Sequence, residues 1–355
     1  MEPTKKRILF TLPNFKTAGS KYVLLAIYNG LDRTYFQPYI LVEKFFEQIP
    51  DVIPKDEQLL LSRQTSRSTY IKRFRKLLKK QKIDLVHSWD YRSSSLEAIA
   101  CRLSGVKYLF TKKNNAWSKR WFAKSLLSSH IVYNNPEMLH RFFDTSFLRT
   151  KVSLIPHGVD VDFFKPAKSI KDNTYFTMGF IGVIGPNKNQ MFLLKALKEL
   201  PEHFRVWFYG QADEDYLKLL QNFIEDHQLV DRVAFHGFIQ NEEIPLVMKQ
   251  FDVLVLSSKN EGLPLCIIEA LACGVPVLSS DAGGGAKFLL QNGGGYLFDL
   301  ESPLQLVSQL KRIAENPEEQ RKLSEEGRKA VVSKFTLQQE IASYEYLYTQ
   351  LTSKA

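Results

Sequence analysis

The chain has 355 residues, which is more than one ordinary hydrophobic core accommodates, so its length predicts two domains. Hydrophobic residues make up 44% and charged residues 24%, which excludes a disordered or fibrous protein. The formal net charge is +10, and the positive excess lies in residues 1–166, which carry 29 basic and 14 acidic side chains. This asymmetry predicts an anionic partner for the first half of the chain, such as a membrane surface, nucleic acid or a phosphorylated substrate.

Several other classes of protein are excluded by the distribution of apolar residues and cysteines. The apolar stretches are shorter than the roughly 18 residues that a membrane-spanning helix needs. The apolar run at 8–12 is too short for a signal sequence, so we expect a cytoplasmic protein. Cys101, Cys266 and Cys273 cannot form a disulfide framework, and no Cys/His cluster has zinc spacing, so we expect no metal.

Short apolar runs alternate with helical patterns along the chain. In chain order, the predicted strands are 7–12, 39–42, 85–87, 108–111, 130–133, 152–155, 177–181, 205–209, 233–235, 253–256, 275–279 and 295–298. The main predicted helices are 21–31, 67–82, 94–103, 191–200, 215–227, 244–251, 267–272 and 337–351. This alternation predicts an α/β fold with two Rossmann-like, doubly wound domains facing across a cleft, with ligands at the carboxyl ends of the strands.

The domain boundaries follow from the two series of strands. We predict an N-terminal domain at 1–165, a C-terminal domain at 166–336 and a terminal helical segment at 337–355. The best linker is the segment from Asp162 to Pro166 with the polar stretch that follows it to Asn173. Periodicity leaves open which domain the terminal helix packs on, and a return to the N-terminal domain is one of the two options.

The segment 257–285 carries the most informative motif. A short polar loop containing Glu261 and Gly262 follows a predicted strand, and Pro264 suits the first turn of the next helix. A helix start offers free backbone N–H groups and a positive dipole end, which bind phosphate. Glu269, about two turns inside the helix, can accept hydrogen bonds from two vicinal hydroxyls such as those of a ribose. The structural alternative is a solvated glutamate in a helix that Gly274 terminates.

The run EGLPLCIIEALACGVPV, which begins at Glu261, resembles the donor-site signature of the family 4 retaining glycosyltransferases (glycosyl transferases group 1). The similarity covers most of 175–300, including the runs that begin at Tyr209, Asp231 and Phe251 and the glycines at 283 and 284. It implies the GT-B fold and transfer of a sugar from a nucleotide-diphosphate sugar with retention of configuration. The donor would be a co-substrate, and no cofactor or metal is implied.

The resemblance also assigns roles to individual residues. Glu269 would hold the donor ribose, and Glu261 would contact sugar hydroxyls as part of the catalytic machinery. The main chain of Ile239 would meet the nucleobase, although a core role for this side chain stays open. The amides that would approach the diphosphate or sugar belong to Gly262, Leu263, Leu265 and Cys266.

A second loop, 180–190, again follows a predicted strand and is rich in glycine. Gly182 allows close approach of an anion, and Lys188 supplies positive charge to a leaving diphosphate as a catalytic residue. The spacing matches neither a P-loop nor a dinucleotide fingerprint. In the family, an arginine and a lysine five residues apart clamp the diphosphate. Val183 occupies the arginine position here, so half of that clamp is missing.

The N-terminal loops resemble the family less closely. Gly19 and Ser20 match its glycine-rich loop near the donor phosphate or acceptor, whereas Ala18 departs from the first glycine. The alternative for this segment is an ordinary strand–helix turn. The domain as a whole would present the acceptor hydroxyl.

Three further positions follow the second group of N-terminal strands. His87 ends a strand where the family has a catalytic histidine, and a histidine packed at a strand end is the alternative. Trp89 replaces a second family histidine. Lys113 lies where many members have a histidine near the reacting sugar, and we predict that Lys113 and Asp90 contact acceptor or sugar. Lysine is a poorer proton acceptor than histidine at neutral pH.

The segment 67–82 carries eight basic residues and no acidic ones, with apolar residues at helical spacing. This pattern predicts a basic amphipathic helix that binds anionic lipid headgroups, or a domain helix whose lysines lie in water. No nucleic-acid module accompanies it, so nucleic acid is not an expected partner. We therefore expect a cytoplasmic protein with peripheral attachment to the inner face of the cytoplasmic membrane as an option.

Together these features predict a retaining, metal-independent glycosyltransferase that moves a hexosyl or N-acetylhexosaminyl group to a glycan or lipid-linked acceptor. Polysaccharide or lipopolysaccharide synthesis is the expected context. Two alternatives stay open: a nucleotide-sugar epimerase or phosphorylase of the same fold, and a non-catalytic nucleotide-sugar-binding subunit. The second is made credible by the departures at Val183, Trp89 and Lys113; whether these mark altered or lost activity stays open.

Overall fold

The computed structural model of the chain describes residues 5–15, 19–43, 53–62, 66–166 and 174–353. It divides into two compact units, one formed by Met1–His157 with Leu337–Ala355 and the other by Gly158–Thr336. They are named here the N-terminal unit and the C-terminal unit. Each is an α/β unit built on one parallel sheet, as the alternation of strands and helices predicts.

The N-terminal unit contains a seven-stranded parallel sheet. Its strands are β1 (Lys6–Leu12), β2 (Phe36–Val42), β3 (Gln58–Leu60), β4 (Leu85–Ser88), β5 (Lys107–Lys112), β6 (His130–Tyr133) and β7 (Val152–Leu154). The α-helices that lie between β1 and β7 are α1 (Gly19–Gly30), α2 (Arg67–Lys80), α3 (Leu96–Arg102), α4 (Lys119–Leu127), α5 (Glu137–Phe142) and α6 (Ser146–Arg149). The strand order is β3-β2-β1-β4-β5-β6-β7, which is the order of a Rossmann-like sheet with one added strand.

The C-terminal unit contains a six-stranded parallel sheet. Its strands are β8 (Phe176–Ile181), β9 (Phe204–Tyr209), β10 (Val233–Gly237), β11 (Val253–Leu256), β12 (Val277–Ser280) and β13 (Gly295–Phe298). Its helices are α7 (Gln190–Lys198), α8 (Glu214–Asp226), α9 (Ile244–Met248), α10 (Leu265–Ala272), α11 (Gly285–Leu290), α12 (Pro303–Glu315) and α13 (Pro317–Lys334). The order β10-β9-β8-β11-β12-β13 repeats the doubly wound arrangement.

The predicted strands lie within a few residues of the observed ones, with two informative differences. The edge strand β3 was not predicted, because it has three residues and is half-exposed, so it lacks a sustained apolar run. Strand β12 begins at Val277 instead of residue 275, because the N–H of Val275 donates to Ala270 O and closes the end of α10. Gly274 supplies the left-handed conformation (φ 73°) that this helix end requires.

The segment predicted as the start of the linker belongs to the C-terminal unit, whose boundary lies after His157 instead of after residue 165. The N–H of Val159 donates to Phe335 O at 3.0 Å, and Phe164 is buried in the core of this unit. The Arg328 guanidinium donates to the carbonyl oxygens of Phe164 and Val161 at 2.6 and 2.9 Å. These contacts fix the segment in place; the remainder of the predicted linker, 167–173, lies outside the described residues.

The last helix, α14 (Leu337–Thr352), belongs to the N-terminal unit. Its buried face carries Glu340, Tyr344, Leu347 and Tyr348, three of which have polar groups. The sequence pattern left its location open because an amphipathic stripe shows that a helix is covered without showing by what.

Helix α2 is the basic helix predicted at 67–82, and it begins and ends close to those bounds. The hydroxyl of Ser66 caps its first turn by accepting from the N–H of Thr69 at 3.2 Å. Tyr70, Phe74 and Leu78 pack in the core of the N-terminal unit, so the apolar face is covered and the basic face is exposed. Among the described residues, no helix is long and apolar enough to cross a membrane.

Candidate functional site

The loop after β8 brings Lys188 over the backbone of Gly182. A Cβ atom at Gly182 would lie 3.3 Å from Lys188 Cε, so the absence of a side chain leaves room for the lysine. Gln190 holds the loop by donating to Val183 O at 2.9 Å and by accepting from the N–H of Gly185 at 3.2 Å. The loop is therefore a defined structure, in which Lys188 is the cation.

A second loop, which follows β11, is joined to the first. Asn187 Nδ2 donates to Asn260 O at 3.0 Å, and the N–H of Lys259 donates to Asn187 O at 2.8 Å. The hydroxyl of Ser257 donates to Asn189 O at 2.9 Å. Sequence reasoning did not find these connections, because they depend on side chains far apart in the chain. They fix the relative positions of the two loops that carry the predicted donor residues.

Lys188 and Glu261 form an ion pair between these loops. Lys188 Nζ donates to Glu261 Oε1 at 2.5 Å, and the side chains are 22% and 17% exposed. Burial lowers the pKa of Lys188, but the charge and hydrogen bond of Glu261 outweigh it, so the pKa lies above its ordinary value. Lys188 is thus an ammonium at neutral pH, held by a carboxylate and partly accessible.

Next to this pair lies the start of α10. Pro264 precedes the first helical residue, Leu265, and no side chain caps the helix there. The first-turn amides of Leu265 and Cys266 lie at the positive end of the helix dipole, which is suited to an anion. Leu263 is buried and shapes the loop. Burial raises the pKa of the Cys266 thiol to about 12, so this side chain is neutral.

The backbone around Gly262 is packed tightly against the N-terminus of α11. A Cβ atom at Gly285 would lie 2.1 Å from Gly262 O, so a side chain there would displace the loop. Gly284, with φ 83°, adopts a left-handed conformation at the N-cap of α11, and its N–H donates to Asp281 Oδ1 at 3.1 Å. The glycine run that follows β12 therefore supports the loop of Glu261.

Glu269 lies in α10, one helical turn after Leu265, and its side chain is buried. The carboxylate forms no hydrogen bond or ion pair with any residue in the described ranges. Burial alone raises its pKa to about 7. A buried carboxylate is stabilised by hydroxyl donors, so Glu269 is suited to a ligand that supplies them.

The carboxyl end of β10 contributes two further features. The side chain of Ile239 packs against the core of the C-terminal unit, so only its main chain is suited to contact a ligand. His236 stacks on Tyr209, with ring centroids 4.5 Å apart and planes at 11°. Sequence reasoning did not weigh this pair, although aromatic residues that end two neighbouring strands were a usable signal.

Val183, at the position of the family arginine, has an exposed side chain (58%). The loop 182–190 therefore supplies one cation, Lys188, as its sequence indicates.

In the N-terminal unit, Gly19 and Ser20 are the first two residues of α1. The preceding residues of the predicted loop, including Ala18, lie outside the described residues.

His87 is a core residue, which corrects the predicted catalytic role. It is completely buried; Nδ1 lies 2.6 Å from Tyr348 Oη and Nε2 lies 2.8 Å from Thr111 Oγ1. Burial, followed by the charge of Lys113, holds the pKa of His87 well below its ordinary value. A neutral imidazole with both nitrogens engaged anchors α14 to the sheet and has no free atom for a substrate.

Two further buried polar contacts connect α14 to the rest of the N-terminal unit. The Thr111 hydroxyl lies 3.1 Å from Tyr344 Oη, and His157 Nδ1 lies 3.0 Å from Glu340 Oε1. The terminal helix is therefore held by buried polar contacts along its length.

Lys113 and Asp90 lie beside the buried Trp89. Lys113 Nζ donates to Trp89 O at 2.7 Å and lies 4.3 Å from the centre of the indole ring. Asp90 is buried and accepts from the Arg92 guanidinium at 3.0 Å, so it positions that arginine. Of the two predicted acceptor residues, Lys113 is the one with a partly exposed side chain. No group of three or more potential metal ligands occurs among the described residues.

The overall fold is that of known GT-B proteins. A crystal structure of the Anabaena protein Alr3699/HepE in complex with UDP superposes with a TM-score of 0.84 at 18% identity, covering 97% of this chain and 100% of that one. A glycosyltransferase from Rickettsia africae ESF-5 superposes with a TM-score of 0.85 at 16% identity, covering 99% and 100%. Two parallel α/β units with this similarity define the GT-B class.

Sequence comparison then gives the family. The model of the glycosyl transferases group 1 matches residues 161–330, and that of glycosyltransferase family 4 matches residues 18–163. The chain therefore belongs to the family 4, group 1 glycosyltransferases, as its motifs predict. The Escherichia coli UDP-Gal:alpha-D-GlcNAc-diphosphoundecaprenol alpha-1,3-galactosyltransferase is 28% identical over 270 residues, which cover 68% of this chain and 69% of that protein.

Proposed function

We propose that this glycosyltransferase moves a hexosyl or N-acetylhexosaminyl group from a nucleoside diphosphate sugar to a hydroxyl of a lipid-linked or glycan acceptor, with retention of configuration. The observation that carries the proposal is the juxtaposition in the C-terminal unit of three features: the Lys188–Glu261 pair, the start of α10 and the buried carboxylate of Glu269, where the described residues supply neither a side-chain cap for the helix nor a partner for the carboxylate. Lys188 and the start of α10 suit the diphosphate of such a donor, Glu261 suits its sugar and Glu269 suits its ribose.

The residues divide the chemistry as follows. Glu269 accepts hydrogen bonds from the ribose hydroxyls, and Glu261 contacts the sugar while it orients Lys188. The Lys188 ammonium and the first-turn amides of α10 stabilise negative charge on the departing diphosphate. The acceptor oxygen forms a bond to the anomeric carbon on the face from which the diphosphate leaves. The bond to the diphosphate oxygen breaks, and that oxygen takes the acceptor proton.

No metal is needed in this proposal, because Lys188 and the helix amides provide the positive charge at the leaving group. The expected context, synthesis of a cell-surface polysaccharide or lipopolysaccharide, is supported by the lipid-diphosphate acceptor in the name of the E. coli relative. The bound UDP in the Anabaena structure supports a nucleoside diphosphate donor for that protein and makes UDP-sugars the first to test here.

The test uses a panel of nucleotide sugars and lipid-linked acceptors with the full chain. Lys188→Ala is expected to lower kcat/KM by roughly 100-fold or more, because it removes a preorganised charge from the leaving group. Lys195→Ala, an exposed lysine of α7, is the matched control and should retain wild-type activity. EDTA should leave the rate unchanged, and NMR of the product should show the anomeric configuration of the donor.

Three results would contradict the proposal. One is full activity of Lys188→Ala with the true donor and acceptor. Another is a different reaction of the same fold: consumption of donor without acceptor indicates an epimerase, and dependence on inorganic phosphate indicates a phosphorylase. A third is nucleotide-sugar binding without transfer to any acceptor, which indicates a non-catalytic subunit.

We also propose that α2 attaches the N-terminal unit to the anionic inner face of the cytoplasmic membrane. Its exposed basic side chains include Lys72, Arg75, Lys76 and Lys79, which line one groove with Lys82. Because the apolar face of α2 is buried, attachment is electrostatic and does not require insertion. Liposomes containing phosphatidylglycerol should carry the protein in flotation at low salt and release it as salt rises. Equal binding to neutral liposomes would refute this.

A further inference from the structure

A second concentration of positive charge lies in the N-terminal unit, at the carboxyl ends of β4 and β5. Lys112 and Lys113 end β5 and enter the next loop, and Arg92 lies in the loop after β4. Lys124, from α4, donates to Arg92 O at 3.1 Å, and Lys113 donates to Trp89 O. Lysine ammonium groups thus hold these two loops together at the edge of a parallel sheet where ligands bind.

Lys112, the last residue of β5, and Lys113, the residue after it, are held on neutral acceptors. Lys112 Nζ donates to the carbonyl and side-chain oxygens of Asn114, and lies 4.4 Å from the ring centre of Trp121. Lys113 donates to a backbone carbonyl and lies over an indole ring. Neither ammonium forms an ion pair with a carboxylate in the described ranges.

The neighbouring acidic groups are engaged elsewhere. The guanidinium of Arg92 contacts the carboxylates of Asp90 and Glu43. Burial lowers the pKa of Lys112 to about 7, with further lowering by Lys124 and Arg141. Burial also places the pKa of Lys113 well below its ordinary value, an effect that Asp90 opposes and that Lys124 and Lys21 increase. The protonated forms of these two lysines are therefore poorly solvated, and a bound anion would stabilise them.

Not all of these cations can reach a ligand. Lys112 and Lys124 are almost completely buried, so they contribute to the local field without contact. Lys113 is partly exposed, and the side chain of Arg92 is 37% exposed. Lys113 and Arg92 are thus the two basic side chains of this cluster with exposed surface, and an ammonium with a planar guanidinium is a suitable combination for phosphate oxygens.

We infer that Lys113 and Arg92 bind the phosphate or diphosphate of an anionic acceptor. The inference rests on the proposed function, since it assigns the acceptor of that reaction to a chemical class. It differs from the electrostatic attachment of α2, whose lysines lie exposed along one helix and favour a charged surface over one defined anion. The acceptor hydroxyl would be on a sugar or lipid joined to this phosphate group.

The first experiment measures binding of inorganic pyrophosphate to the full chain by calorimetry, in a Lys188→Ala background that weakens the donor site. Adding Lys113→Gln should weaken the remaining binding by about tenfold, the effect of losing a charge-assisted hydrogen bond. Adding Lys218→Gln, which removes an exposed lysine of α8, should change it by less than twofold. Lys113→Arg keeps the charge and should restore most of the affinity, which excludes misfolding as the cause.

The second experiment uses protein that retains Lys188. It compares two acceptors, a sugar phosphate or diphosphate ester and the uncharged methyl glycoside of the same sugar. Lys113→Gln should raise KM for the charged acceptor about tenfold, with little change in kcat, and should leave the uncharged acceptor unaffected. Equal effects on both acceptors would overturn the inference, as would an unchanged pyrophosphate affinity. Pyrophosphate binding that a phosphorylated acceptor does not displace would assign the site to free phosphate and refute the acceptor role.

These measurements separate the inference from the proposed function. Pyrophosphate binding that depends on Lys113 is observable even if no nucleotide sugar binds or reacts. Conversely, transfer that depends on Lys188 but not on Lys113 would leave the proposed function intact and remove the anionic site.

Discussion

Replacing Glu269 by glutamine is expected to stabilise the C-terminal unit above neutral pH while it weakens donor binding. The carboxylate is buried and has no partner among the described residues, and its pKa is raised from 4.5 to about 7 by burial. The folded state therefore holds a proton more tightly than the unfolded state. Stability from this group is fully present below pH 4.5 and is lost as the pH rises through 7.

The size of the effect follows from the pKa. At about 1.36 kcal/mol for each pKa unit, the rise corresponds to a loss of roughly 3 kcal/mol in the free energy of unfolding at pH 8 relative to pH 4.5. For a unit of this size, each kcal/mol changes Tm by about 2–4 °C, so the corresponding decrease in Tm is roughly 6–12 °C. Glutamine does not titrate, and this component of the pH dependence should disappear in Glu269→Gln.

Calorimetric unfolding of wild type and Glu269→Gln at pH 5 and pH 8 measures this directly. The change in the wild type between the two pH values, minus the change in the variant, isolates the titration from any packing difference. Glu225→Gln, an exposed position in α8, is the control and should behave as wild type. If the wild type and Glu269→Gln lose the same stability between pH 5 and pH 8, the assignment of a buried, unpaired carboxylate is wrong.

Two other substitutions test the packing around each site. Tyr348→Phe removes the hydroxyl that contacts the buried His87 Nδ1, so it should lower the free energy of unfolding by about 1–3 kcal/mol and speed hydrogen exchange in α14. Tyr346→Phe, at an exposed neighbouring position, is the control and should have no effect. Equal hydrogen exchange in the two variants would contradict the anchoring role. Gly285→Ala places a methyl group against Gly262 O, so it should lower the free energy of unfolding by about 1–3 kcal/mol and weaken nucleotide binding. Gly185→Ala is the control and should be tolerated, because its Cβ would meet a side chain only at 3.8 Å. Unchanged nucleotide affinity in Gly285→Ala would show that this contact does not position the loop.

The C-terminal unit was largely predictable because its features are local in sequence. Strands such as β11 are continuous apolar runs bounded by polar residues, and Pro264 with Gly274 delimits α10. Glu269 and Gly262 could be found because they lie within a few residues of these signals. What the sequence did not show is that Glu269 is buried with no partner among the residues that the structure describes, which depends on the surrounding fold.

The N-terminal unit was less predictable because its polar residues act over long distances in sequence. His87 contacts Tyr348, and no local pattern connects two residues separated by most of the chain. The same applies to the location of α14. Arg92 was not considered as a site residue, since a single arginine in a serine-rich loop has no distinguishing local pattern. Its pairing with Asp90 and its proximity to buried lysines became apparent only from the structure.

The assignment of α14 to the N-terminal unit has a consequence for biosynthesis. The buried partners of His87, Thr111 and His157 are contributed by α14, which the ribosome synthesises after the whole C-terminal unit. The C-terminal unit, continuous from Gly158 to Thr336, can fold while the chain is still attached. The N-terminal unit emerges first but is completed second, and until α14 has been synthesised the buried polar groups of its sheet that contact α14 are without these partners. During this interval the nascent N-terminal unit is the part of the protein most dependent on chaperones.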